Sequence, residues 1–255
     1  MCTSPITLNR EVAGRLVTRV VPCGKCEECR AKLRNEVAAL SALEGVGRDS
    51  LTFVTLTYRQ ETLPIAVSES VDGVRRIIGY QRGSDSPAWF LNFCKHKCTP
   101  GFWSGQFGLD YGLFDYCPSL FRDDWKHHMK RFRSECDRHS LSKDFAFMSF
   151  GEYGEKRHRP HLHALIFGFT PEHDERFKKL WENHFGECKL IRVPRFNADG
   201  SDAFMKVSKY ISKYVSKGNH LPSFVLKGFA DPPRRVSSVR FGRKNLDIPR
   251  LRSFI

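Results

Sequence analysis

No apolar run in this 255-residue chain approaches the roughly 18 residues that a membrane-crossing helix needs. The first twenty residues carry Arg10, Glu11, Arg15 and Arg19 where a secretory leader needs an apolar stretch. The chain therefore reads as soluble and unexported, with no membrane partner. A disulfide framework is missing too. Nine cysteines are an odd number, and three of them crowd into CGKCEEC as Cys23, Cys26 and Cys29, a spacing that suits metal binding in a reducing cytoplasm. Acids are scarce relative to bases: 28 Asp+Glu stand against 42 Lys+Arg, for a formal charge of +14. The deficit is steepest from Phe204 onward, where 12 Lys/Arg face only Asp231 and Asp247. Such an imbalance points to a phosphate-bearing partner, nucleic acid first.

What is present reads as one domain over 1–255, with no internal repeat. A cysteine-rich segment and a helix fill 1–45, since Leu33, Val37 and Leu40 recur at helical spacing in RAKLRNEVAALSAL. LTFVTLTY (Leu51 to Tyr58) is rich in β-branched and aromatic residues and predicts a strand. Residues 59–117 have no sustained period and many Gly, Pro and Ser, so an irregular insertion is expected there. After Pro118, Phe121, Trp125, Met129, Phe132 and Cys136 mark an amphipathic helix, with Ser119 able to cap it. Two strands then flank a polar turn: DFAFMSFGEYG (Asp144 to Gly154) and PHLHALIFGF (Pro160 to Phe169). A helix over Pro171 to His184, a strand near Lys189 to Val193 and a helix over Ser201 to Lys217, capped by Ser201, follow. Residues 218–255 read as a basic extension. The order β, α, β, β, α, β, α argues for an α+β fold, an antiparallel sheet with helices packed on it.

Chemistry concentrates in three places. On a strand, side chains alternate faces, so His161 and His163 point the same way while Leu162 and Ala164 point the other. Glu152, near the end of the preceding strand, can reach that face and make a two-histidine, one-carboxylate set suited to Mn²⁺ or Mg²⁺. Glu155 and His158 are nearer in sequence but fall in the turn. In the last helix, Tyr210 and Tyr214 lie four apart, about 40° around the axis, and flank the apolar stripe of Phe204, Val207, Ile211 and Val215. Lys206, Lys213 and Lys217 form a cationic margin beside them, and with Lys209 they are candidate DNA contacts. The cysteine cluster supplies three thiolates where tetrahedral Zn²⁺ takes four, leaving Cys2, Cys94 or Cys98 as the fourth. Each feature also has a plain structural reading: edge-strand histidines, tyrosines closing a core, reduced cysteines at a helix start.

FVTLTY, the His161–Leu162–His163 strand and the paired-tyrosine helix resemble the three motifs of the HUH single-strand DNA endonucleases. Taken with VPCGKCEECR, GEYGEKRHRPHLHALIFG, the Leu180–Trp181 helix and YISKYVSK in that order, the chain is similar to the replication initiation proteins of gokushovirus-like phages of the Microviridae. The resemblance extends to a cysteine beside the initiator methionine, Cys2 here. It implies a ferredoxin-like central sheet and a rolling-circle initiator that nicks and joins single-stranded origin DNA through a 5′-phosphotyrosine, in the cytoplasm of an infected bacterium. By the resemblance His161 and His163 are metal ligands, Tyr210 and Tyr214 are nucleophiles, Lys213 stabilises charge in the transition state, and host helicase and polymerase are partners. A noncatalytic nucleic-acid-binding module with a zinc-stabilised N-terminus, and a plasmid initiator, relaxase or transposase, remain the alternatives. A two-histidine iron oxygenase leaves the tyrosines and the charge unexplained, and Leu165 stands where a histidine-triad hydrolase needs a third histidine.

Overall fold

The structure, a computed structural model, describes residues 2–24, 26–85, 114–155, 158–216 and 221–243. Its centre is a five-stranded antiparallel sheet built from β3 (Leu51–Thr57), β7 (Ala146–Tyr153), β8 (Pro160–Phe167), β9 (Cys188–Val193) and β10 (Arg235–Ser237), in the order β10-β7-β8-β3-β9. Four longer helices cover it: α1 (Glu27–Gly45), α2 (Arg122–Arg138), α3 (Pro171–His184) and α4 (Ala203–Ser216). A fifth, α5, is the single turn Ser223–Leu226. This is the α+β class that the element order implies. No described helix is long and apolar enough to cross a membrane.

Strand alternation assigns each face its helices. Val54, Leu56, Phe147, Leu162, Ala164 and Ile166 face α2 and α3, where Trp125, Met129, Phe132, Phe177 and Trp181 complete an aromatic-rich core. The intervening residues Leu51, Met148, Phe150, Leu165 and Phe167 face α1 and α4 and pack on Val37, Ala203 and Phe204. The sheet is thus the middle of three layers. α3 begins on a reciprocal cap: the Thr170 hydroxyl accepts from the His173 amide, and His173 Nδ1 accepts from the Thr170 amide at 3.1 Å. Its Trp181 indole donates to the Thr57 carbonyl at 3.1 Å, fastening the helix to the end of β3.

The expected irregular insertion over 59–117 is corrected in part. β4 (Pro64–Val71), β5 (Val74–Arg82) and β6 (Phe114–Pro118) form a regular antiparallel sheet in the order β5-β4-β6, and Leu63, Ile65 and Cys117 from it enter the core beneath α2. Asp72 and Gly73, both at positive φ, make the two-residue turn of β4–β5, a geometry that fits the strand twist and favours Asp-Gly. Residues 86–113, with Cys94 and Cys98, lie outside the described residues. The basic extension over 218–255 is corrected as well, because β10 joins the sheet beside β7 and Phe241 is buried against α1. Tyr153 fixes this return: its hydroxyl donates to the Asp231 carbonyl at 2.6 Å and accepts from the Leu120 amide at 3.0 Å. The N-terminal 45 residues contain a further hairpin, β1 (Ile6–Val12) with β2 (Arg15–Val21), ahead of α1.

Two cap expectations also change. Ser119 caps nothing, because its hydroxyl accepts from the Asp231 amide at 2.9 Å and donates to the Leu120 carbonyl at 3.1 Å, and α2 starts three residues later. Ser201 turns toward Asn197, while the Asp202 carboxylate accepts from the Met205 amide at 3.1 Å at the start of α4.

His128 is fully buried between α2 and α3, edge-on to Phe177 and Trp181, with neither ring nitrogen hydrogen-bonded. Burial first, then the nearby cations His184 and Arg131, depress its pKa to about 3. The unfolded chain binds this proton at the ordinary histidine pKa, so stability is expected to fall as pH drops from about 6.5 toward 3. Urea midpoints compared at pH 7 and pH 4.5 should converge in His128→Leu relative to the parent.

Candidate metal and tyrosine site

β7 and β8 pair so that Glu152 stands directly opposite His161, and Phe150 opposite His163. Opposed residues share a face, and so do residues two apart. Glu152, His161 and His163 are therefore gathered by register alone. Their ligand atoms all lie within 4.8 Å of one another. The Nε2 atoms of His163 and His161 sit 3.0 Å and 3.8 Å from Glu152 Oε2. Glu155 and His158 stay outside this cluster, and His158 packs its ring by Phe224 instead.

The far nitrogens of both rings are held. His161 Nδ1 lies 2.9 Å from the Arg159 carbonyl, which can only accept, so Nδ1 carries the proton and Nε2 offers its lone pair. His163 Nδ1 lies 3.1 Å from the Thr55 hydroxyl, which can accept in the same way. The His163 ring stacks on Phe53 with centroids 5.7 Å apart, and His161 stands edge-on to it at 5.4 Å. A Cβ on Gly154 would fall 3.0 Å from His161 Cε1, so glycine there leaves the ring its place. Exposure grades across the cluster: the side chain of His163 is 9% exposed, Glu152 11% and His161 22%. The outer histidine borders solvent. Orientation of both imidazoles by outer partners, with Nε2 turned inward, is the arrangement of ligating histidines.

The tyrosine helix α4 covers the same face. Phe53 stacks on His163 and meets the Tyr210 ring edge-on at 6.2 Å, so one side chain bridges the cluster and the first tyrosine. Tyr210 is 48% exposed. Lys213 and Tyr214 lie on the α4 backbone, but their side chains fall outside the described residues, as does Lys217 altogether. Lys209 is exposed, whereas Lys206 extends toward Asp199 at 3.4 Å. Thr55, Phe53 and Gly154 were not singled out from sequence, although Phe53 and Thr55 share the alternation of FVTLTY with the histidine face.

A second cluster lies at the start of α1. Cys2, Cys23, Cys26 and Cys29 bring their sulfurs within 4.8 Å of one another, so Cys2 is the fourth member. Sulfur separations are 3.5 Å for Cys2–Cys23, 3.7 Å for Cys2–Cys26 and 4.0 Å for Cys23–Cys29. Four sulfurs about 2.3 Å from a central Zn²⁺ would be separated by about 3.8 Å. The Cys26 thiol is pulled down to about 6, by the Cys29 amide first and then by that of Thr3. The chain thus contains two residue groups able to hold a metal ion.

Residues 111–219 match the family model of the replication-associated protein ORF2. The chain is 26% identical over 225 residues to replication-associated protein VP4 of Bdellovibrio phage phiMH2K, covering 83% of this chain and 54% of that protein. With replication-associated protein ORF4 of Chlamydia phage 1 it is 23% identical over 204 residues, covering 77% and 38%. The chain thus spans about half or less of the length of these relatives. Among solved structures it is similar to the N-terminal nuclease domain of minute virus of mice non-structural protein 1, at 10% identity and a TM-score of 0.27 over 71% of this chain and 81% of that one, too loose a likeness to bear on the fold. The matched window holds Glu152, His161, His163 and both tyrosines, and the chain is related in sequence to the replication-associated proteins of these two phages.

Proposed function

We propose that the chain is a rolling-circle replication initiator that cuts and rejoins single-stranded origin DNA through a tyrosine. The observation that carries this reading is the convergence of Glu152, His161 and His163 on one sheet face, with Tyr210 reached across Phe53. In the reaction, the Tyr210 or Tyr214 oxygen attacks the scissile phosphorus. The phenol proton is lost, the bond from phosphorus to the 3′-oxygen breaks, and that oxygen takes up a proton. The products are a free 3′-OH, extendable by a host polymerase behind a host helicase, and a 5′-phosphotyrosine. A second tyrosine can later attack the regenerated origin, after which the released 3′-OH reverses the first linkage and closes the circle.

Glu152, His161 and His163 would hold Mn²⁺ or Mg²⁺, whose role when bound is to polarise the phosphate oxygens. This chain's own residues do the remainder. Phe53 and Thr55 fix the His163 ring, the Arg159 carbonyl fixes His161, and α4 delivers the phenols. A neutral phenol with a pKa near about 10 is a weak nucleophile, and Lys213 beside Tyr214 would stabilise charge gathering on the phosphate. Lys209 and Lys217, with Lys206 where it leaves Asp199, would attract backbone phosphates. The four cysteines would hold a structural Zn²⁺, consistent with sulfur separations of 3.5–4.0 Å.

Incubation of the protein with labelled origin single strands and Mn²⁺ should leave protein covalently joined to the 5′ side of the cut, with the modified peptide containing Tyr210 or Tyr214. The Tyr210→Phe/Tyr214→Phe pair should form no adduct; adduct formation equal to the parent would refute the mechanism. Thr55→Val should weaken Mn²⁺ binding about 10–100-fold while leaving the thermal midpoint close to the parent's, as read by metal titration beside calorimetry. The purified protein should contain one zinc per chain by elemental analysis, and Cys26→Ser should lose it together with several degrees of thermal midpoint.

A further inference from the structure

The β1–β2 ribbon buries almost nothing, and so its own packing does not explain it. Its strands pack chiefly on each other, and every described side chain from Thr3 to Val20 is exposed. A lone two-stranded hairpin is marginal in water. Two devices hold this one. At the tip, Ala13 and Gly14 both take positive φ, the turn that matches the strand twist. At the base, Cys2 precedes β1 and Cys23 follows β2, and their sulfurs lie 3.5 Å apart beside Cys26 and Cys29 of α1. The cysteine cluster clamps the ribbon to a helix that packs beside α4 on the site face of the sheet.

The ribbon's surface is sorted by charge. Register pairs Leu8 with Arg19, Arg10 with Val17 and Val12 with Arg15. All three arginines therefore lie on one face, on three successive same-face rungs about 7 Å apart. Glu11, the ribbon's one acid, lies on the other face, opposite Leu16. All three arginines are exposed, and none is ion-paired with a described residue. The interval is twice the roughly 3.4 Å at which each strand of B-DNA presents a phosphate along its axis.

From Ile6 to Val21 there is no Phe, Trp, Tyr or His. Surfaces that hold unpaired strands stack bases on aromatic rings, and this one has none to offer. A two-stranded ribbon does fit the major groove of a duplex, about 12 Å wide. We infer that the β1–β2 ribbon is an arm that grips double-stranded DNA next to the nicking site, with Arg10, Arg15 and Arg19 on the phosphates and the cysteine cluster setting its angle. The inference rests on the proposed DNA substrate but not on the cutting chemistry.

The test uses the full chain, a blunt 20-base-pair duplex and fluorescence anisotropy across about 50–200 mM salt. Each duplex phosphate contact contributes about 0.9 to the slope of log affinity against log salt. Replacing all three arginines by alanine should lower that slope by about 2.7, so that the parent loses roughly 40-fold more affinity than the variant over this range. The triple lysine variant should keep the parental slope, and circular dichroism should show both variants folded. An alanine variant with the parental duplex slope would overturn the arm. So would a parent that is dimeric and a variant that is monomeric with unchanged duplex affinity, which would make the ribbon a contact between copies of this chain. A parent that forms no tyrosine adduct on single strands, yet shows the slope change, would count against the nickase reading alone.

Discussion

The antiparallel register of β7 and β8 is the constraint on which the site depends. With Glu152 opposite His161, three ligand-type side chains share one face without help from any loop. A slip of one residue would send His161 and His163 into the aromatic core and bring Leu162 and Ala164 to the open face. The core forbids the slip. Leu162, Ala164 and Ile166 are packed beneath Trp125, Phe177 and Trp181, so burial of one face fixes the chemistry of the other. Burying those aliphatic and aromatic side chains is worth about 1.5–3 kcal/mol each, and a shifted register would forfeit several at once.

The two faces divide labour accordingly. The α2–α3 face is nearly dry, to the point that His128 sits there neutral and without a hydrogen bond. The α1–α4 face is closed at the Phe167 and Phe204 end and opens toward Glu152, His161 and Tyr210. An isolated carboxylate or imidazolium is costly to bury, so a metal-type cluster belongs at the edge of packing rather than at its centre. Phe53 stands at that edge. It seals the core below and touches both His163 and Tyr210 above, so a single aromatic side chain sets the spacing between the cluster and the helix.

Much of this was legible in the sequence because it depends on short-range periodicity. The alternation of PHLHALIF specified the strand and its shared histidine face, and Pro171 to His184 marked α3 to its ends. Glu152 could be chosen over Glu155 by asking which carboxylate lies on a strand instead of in a turn. The cap assignments failed for a different reason. Ser119 and Ser201 have the right chemistry, but Asp231 and Asn197, distant or irregular in sequence, claim their hydroxyls. The β4–β5 hairpin was hidden by a composition rich in Gly and Ser, although Val71-Asp72-Gly73-Val74 carries the strongest short signal for such a turn. The β1–β2 ribbon is exposed on both faces, so it has no inward side to write a periodic pattern.

An element that writes no core pattern is shaped by something other than folding. The aliphatic and β-branched residues of the ribbon, Ile6, Leu8, Leu16, Val17 and Val20, stay exposed, and two open strand edges beside them are a liability for a free protein. Arginines on one face offset that liability, since like charges oppose edge-to-edge pairing of copies brought face to face. The same charges draw the ribbon to phosphate, so one set of side chains can keep the free chain apart from its copies and tie it to its substrate. The cysteine cluster suits this role better than a hydrophobic anchor would. Four sulfurs held about a common point fix an angle with few residues, whereas an apolar base would have to spend ribbon surface on packing. The ribbon's surface is thereby left free along its whole length, at a fixed bearing to the helix beside the tyrosines.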